Sequence, residues 1–215
     1  MNLISACSSG KLADVKAVMG EGGGEAVEAG ETPCDINGQD GSGRTALLEA
    51  AWGGSEDIVK FLLERGADSN IADKSGFTPL MRAVEGGYRS IAVALMGSGA
   101  DVNCRGYVRG TTPLMLAAEG GNQELVTLLL DGGARINDAD RYEETAVARA
   151  YRAGQDGMAR FLESKGGRGK TERNAYYSHS DRDVSSVTVD AMPQWSAASQ
   201  DAMGVGRGAT HDFDD

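Results

Sequence analysis

The chain has 215 residues and a net charge of −11, from 32 acidic and 21 basic side chains, a sign that repels phosphate backbones and excludes nucleic acid as an expected partner. Cys7, Cys34 and Cys104 are scattered, with no CxxC pair and no Cys/His spacing suited to zinc, so reduced thiols are expected. The start, MNLISACSSGK, lacks a basic region followed by an apolar run, and no apolar run approaches the ~18 residues of a spanning helix; no membrane partner and a cytoplasmic or nuclear location are expected.

Residues 2–19 read as a degenerate copy of a later segment. Leu3, Ala6, Gly10, Val15, Val18 and Met19 each lie 44 positions before Leu47, Ala50, Gly54, Val59, Leu62 and Leu63. The stretch 20–33 is rich in Gly and Glu and reads as a flexible insertion. From there a period is plain. Thr45, Thr78, Thr112 and Thr145 are spaced 33, 34 and 33 apart, and Asn37, Asn70, Asn103 and Asn137 are spaced 33, 33 and 34. Two independent landmarks with one period define a supersecondary unit that buries its apolar face only by stacking on neighbours. The repeats fall at 2–37, 38–72, 73–105, 106–139 and 140–167.

The third copy shows the unit most clearly. Thr78 is a helix cap and Pro79 a favourable first helical residue, giving a short helix over Pro79–Glu85 that stops at Gly86-Gly87. A second helix, about 90–96, carries Ile91, Val93 and Leu95, and Gly99 ends it in a left-handed conformation. Asp-x-x-Gly then makes a tight turn into the next unit. Helices of about two turns are too short to stand alone. The fourth copy has one extra residue, placed at Gly106, and Tyr107 where the other turns have Asp40, Asp73 and Asp140, which predicts a turn of different shape. The fifth has drifted: Glu143 replaces the turn glycine, Ala146 the proline, and Arg149, Tyr151, Arg152 and Arg160 make it polar, as a terminal cap requires. From Arg168 the period stops, and the Ser/Asp/Gly-rich segment 168–215 is read as a disordered tail.

These units resemble the ankyrin repeat, most closely at TALLEAAWGGSEDIVKFLLERGADSN (45–70) and TTPLMLAAEGGNQELVTLLLDGGARIN (111–137). The resemblance implies an all-α solenoid with short β-hairpin or turn connections and a concave surface that binds other proteins. The histidine usual after Thr-Pro-Leu is absent: Leu48, Met81, Met115 and Ala148 stand there, making the inner layer more apolar. Leu47, Leu62, Leu63, Leu80, Leu95, Leu114, Leu128 and Leu129 are assigned to the core, with Leu62, Leu95 and Leu128 expected along one interior line.

No catalytic residue can be nominated. Both histidines, His179 and His211, fall in the tail, so no imidazole is available to a nucleophile in the repeats. The Gly-Gly pairs recur at inter-helix turns rather than in a phosphate-binding loop. No cofactor or metal is expected. Carried over by position, the resemblance gives a protein-binding surface. The residue before each capping threonine contributes Arg44 and Phe77, the latter read as exposed at a turn tip. The inner-helix ends contribute Trp52, Glu85, Glu119 and Arg152, and the turns add Lys74, Arg109 and Tyr142. Trp, Tyr and Arg dominate interface energies. The leading expectation is a monomeric, non-enzymatic scaffold for a partner protein. The alternative is a regulatory or adaptor subunit, for instance in protein degradation or signalling, acting through a phosphorylatable tail around Ser178, Ser180, Ser185 and Ser186.

Overall fold

In the computed structural model, the described residues are 2–20 and 35–169. The predicted insertion and tail therefore lie almost wholly outside them. Among the described residues there are ten α-helices and no strand: α1 Leu3–Ser8, α2 Leu12–Val18, α3 Ala46–Trp52, α4 Glu56–Glu64, α5 Pro79–Glu85, α6 Arg89–Gly97, α7 Pro113–Glu119, α8 Gln123–Asp131, α9 Ala146–Arg152 and α10 Asp156–Ser164. None is long and apolar enough to cross a membrane.

Each repeat is an antiparallel helix pair. The odd-numbered helices stack into an inner layer and the even-numbered ones into an outer layer. The periodic threonines are N-caps as read: Thr45, Thr78, Thr112 and Thr145 accept from the amides of Leu48, Met81, Met115 and Ala148. Each cap contributes about 1 kcal/mol to a helix too short to persist alone.

The spine is continuous. Leu47, Leu80, Leu114 and Val147 succeed one another in the inner layer, and Leu62, Leu95, Leu129 and Leu162 in the outer layer, all buried. A fully buried leucine stabilises by roughly 1.5–3 kcal/mol. Here the structure corrects the expected line. Leu129, not Leu128, follows Leu95, because the extra residue of repeat 4 lies upstream of α8 and moves the register by one. Leu128 and Leu63 are only half-buried, packed against the core from outside, while on α6 Ala92 is buried and Val93 is exposed.

The periodic asparagines tie the repeats together. Asn37, Asn70, Asn103 and Asn137 accept through Oδ1 from the amides of Asp68, Asp101, Arg135 and Arg168 in the following repeat, at 2.8–2.9 Å. The Nδ2 groups of Asn70, Asn103 and Asn137 donate back to the carbonyls of Gly99, Gly133 and Gly166. One amide side chain thus satisfies a donor and an acceptor at the outgoing end of the neighbouring outer helix.

The opposite edge is made of turns rather than strand pairs. In three of them an aspartate closes the loop: one carboxylate oxygen of Asp40, Asp73 and Asp140 accepts two backbone amides, those of Ser42 and Arg44, Ser75 and Phe77, and Tyr142 and Glu144. Successive turns are joined by single backbone bonds, Lys74 N to Ser42 O, Tyr107 N to Ser75 O and Arg141 N to Arg109 O. In repeat 4 Gly106 occupies the aspartate position, donating to Thr111 O as Asp73 does to Phe77 O. The inserted residue therefore lies inside the loop Tyr107-Val108-Arg109-Gly110 and not before it. That turn closes through Gly110 N to Gly106 O, one residue wider than the Asp73–Gly76 turn.

Gly76 shows why these turns favour glycine. Its φ is +82°, and an added Cβ would stand 2.7 Å from Tyr107 Cγ of the next repeat. Glu143, at the equivalent place in the last repeat, has φ +60°. No further repeat stacks on it among the described residues, so a side chain meets no steric block there.

Candidate protein-binding surface

The inner helices and the turns define one side of the stack, and the expected site residues cluster there around three arginines. The first is Arg44. Its guanidinium bridges Asp40 at 2.9 Å and Glu49 at 3.1 Å, and Glu49 also accepts from Ser8 Oγ of repeat 1 at 2.9 Å. Arg44 is committed to its own repeat instead of projecting.

The second cluster is built on Arg82, which sequence reasoning did not single out. Arg82 pairs with Asp73 at 2.8 Å and Glu85 at 3.0 Å. Its guanidinium lies over the Trp52 ring at 5.0 Å and over the Phe77 ring at 4.2 Å. Three expected site residues, Trp52, Phe77 and Glu85, are thus gathered by one cation. Phe77 is half-buried under it, contrary to the reading of an exposed phenylalanine at a turn tip. Trp52 remains open, 47% exposed.

The third cluster is centred on Arg149 in α9, almost fully buried. It pairs with Asp140 at 2.8 Å and Glu119 at 3.0 Å and donates to Thr111 Oγ1 at 2.9 Å. Its Nε has no hydrogen-bond partner, though Glu144 lies 3.7 Å away. Arg152 completes the group, pairing with Glu144 at 2.6 Å and reaching Glu119 at 3.7 Å. Burial pushes the Asp140 carboxyl up, but the hydrogen bonds from Arg149 and from the amides of Glu144 and Tyr142 outweigh it and hold the group below its usual range. Glu119 and Arg152 were expected on this surface; that Glu119 pairs with the buried Arg149 guanidinium, with Arg152 held beside it by Glu144 and Glu119, was not.

Arg82 and Arg149 stand at the same place in their repeats, four residues after the capping threonine and nine after the turn aspartate. A charge inside an otherwise apolar short helix, at a fixed distance from an aspartate, was the available signal. Glu49 and Leu116 hold that place in the other two threonine-capped repeats, which hid the pattern.

The turn residues divide differently. Lys74 is exposed in repeat 3. Arg109 stacks on the Tyr142 ring at 5.0 Å, and both point to solvent. At the base of this edge, the Cys104 thiol lies 3.3 Å from Thr78 Oγ1. Burial chiefly pushes it up to about 11, so it is no nucleophile near neutral pH. No group of His, Cys, Asp and Glu that could hold a metal ion occurs among the described residues.

A stack of capped helix pairs with a ladder of asparagines on one edge and linked turns on the other is a repeat scaffold. The family model "Ankyrin repeats (3 copies)" matches residues 3–106 and 94–173, and the chain belongs to the ankyrin-repeat family. Ankyrin repeats generally mediate protein–protein interactions and are typically non-catalytic. Compared with curated proteins, the chain has no significant match.

Proposed function

We propose that this chain is a non-catalytic scaffold, acting as a monomer in the cytoplasm or nucleus, that holds a partner protein against its turn edge and inner helices. The observation that carries this reading is the division of labour on that side of the molecule. Arg44, Arg82 and Arg149 each pair with the turn aspartate that holds the backbone amides of its loop, and with at least one further carboxylate. Trp52 and Tyr142 stand beside these paired groups, more than 45% exposed. A frame ordered before binding loses little conformational entropy on binding, and exposed aromatic and arginine side chains are the residue types that supply binding energy.

The test is capture of a partner by chemical cross-linking from cell lysate, with the wild-type chain against Trp52→Ala/Tyr142→Ala. Both positions are exposed, so the double variant is expected to fold and to lose the specific adducts. Adducts retained at full yield would reject this surface.

A further inference from the structure

The turn edge is not uniform: its most exposed apolar side chains lie away from the inner helices, at the tips of repeats 4 and 5. Among the described residues the three most exposed large apolar side chains are Val108 at 69% and Tyr107 and Tyr142 at 59%. All three lie on these two adjoining tips, and they are held in place. The Tyr107 ring lies against Gly76, where even a Cβ would not fit. Arg141 Nη1 donates to Val108 O at 3.1 Å, and its amide donates to Arg109 O at 2.8 Å. Arg109 covers the Tyr142 ring. The extra residue of the repeat 4 loop is what carries Val108 and Arg109 outward.

The charge of this edge opposes that of the chain. Lys74, Arg109 and Arg141 are exposed along the three successive tips, while the turn aspartates Asp73 and Asp140 are buried and taken up by Arg82 and Arg149. Glu143 is the exposed acidic residue among these tips. The result is a cationic, aromatic ridge on a protein of net charge −11. Local charges dominate there, because screening at physiological salt acts over about 8 Å. A nucleic acid strand longer than the ridge would have to bind a chain of net charge −11, whereas a short peptide needs only the ridge itself.

We infer that the tips of repeats 3 to 5 anchor an acidic linear segment of the partner that carries an aromatic or aliphatic side chain. The apolar side chain packs on Tyr107, Val108 and Tyr142, and its flanking carboxylates meet Lys74, Arg109 and Arg141. This rests on the protein-binding reading above and specifies the ligand of that same edge.

Short random peptides displayed on phage and panned against the full chain test it, with the affinities of enriched peptides measured by fluorescence anisotropy. The expected peptides are acidic with an aromatic or aliphatic centre. Tyr107→Ala/Val108→Ser is expected to weaken them about thirtyfold, the loss typical of a hot-spot truncation. The single exposed charge reversal Arg109→Glu is expected to weaken them by roughly tenfold or more and to flatten their salt dependence. It keeps the test open should the double substitution loosen the turn, which circular dichroism would show. Trp52→Ala leaves these affinities unchanged. Peptides without acidic bias, no enriched peptide, or equal tip binding by a single-stranded DNA oligonucleotide would overturn the inference. Peptides lost on Trp52→Ala and kept in the tip variants would also overturn it, while leaving the protein-binding reading intact.

Discussion

Replacing Arg149 with methionine removes the cation from the most buried ion pair of the stack while keeping most of the side-chain volume. Asp140, whose carboxylate has no exposure, then keeps only the amides of Tyr142 and Glu144, at 2.8 and 3.0 Å. Breaking a buried pair by removing one partner costs about 3–5 kcal/mol. Two surviving amide bonds place this case near the lower figure. For a chain of this size each kcal/mol lowers Tm by about 2–4 °C, so a drop of roughly 6–12 °C is expected in thermal melts. Because repeats couple mainly to their neighbours, hydrogen exchange should speed up in α9 and α10 and stay unchanged in α1 to α4. The pH dependence follows from the same group. In the wild type the Asp140 carboxyl is held below its ordinary value of 3.8, so its stabilising contribution is present above that pH and is lost as pH falls through the lower folded value. In the variant, burial without the cation raises it, and the penalty at neutral pH fades on acidification. The difference in stability between the two proteins therefore narrows from pH 7 to pH 3. Asp140→Asn on the variant background should recover part of the loss. A loss below about 1 kcal/mol, or faster exchange spread evenly over all ten helices, would refute the reasoning.

Three further outcomes follow from the packing. Leu129→Ala should cost about 2.7–5 kcal/mol in urea unfolding, and Leu128→Ala less than half as much; equal losses would contradict the register of α8. Gly76→Ala must place a Cβ against Tyr107 and should cost more than about 2 kcal/mol, whereas Gly99→Ala, with φ +87° and nothing within 4 Å, carries only the left-handed backbone penalty. The two midpoints, compared directly, decide it. Glu143→Gly relieves a left-handed glutamate and should stabilise by about 1 kcal/mol or less in the same assay; a loss of stability would show that the glutamate's own interactions outweigh its backbone strain.

The local chemistry of the repeat was legible from the chain. Thr78, Pro79 and Gly86 mark the ends of α5 residue for residue, because capping and helix stops depend on immediate neighbours. The period of Asn37, Asn70, Asn103 and Asn137 was visible, but their hydrogen bonds to the following repeat, some 30 residues away, were not. The single inserted residue of repeat 4 was counted correctly and placed one position early, since Gly106 and not Tyr107 takes the aspartate's backbone role. That same residue shifted the spine from Leu128 to Leu129. Phe77 was misjudged because its cover, the Arg82 guanidinium, comes from the helix that follows it. The pairing of Arg149 with Glu119, Asp140 and Thr111 joins two repeats and leaves no local pattern. Ion pairs across a stack depend on which side chains face one another, which spacing alone does not give.

Site-specific photo-cross-linking in cells tests the central claim most directly, with benzoylphenylalanine introduced one position at a time in place of Trp52, Tyr142 or Val93. Trp52 and Tyr142 lie on the inner-helix and turn side, and Val93 lies exposed on the outer helices. The account predicts adducts of one partner protein from positions 52 and 142 and none from 93. Adducts from position 93 alone would put the binding surface on the wrong side of the stack and contradict it.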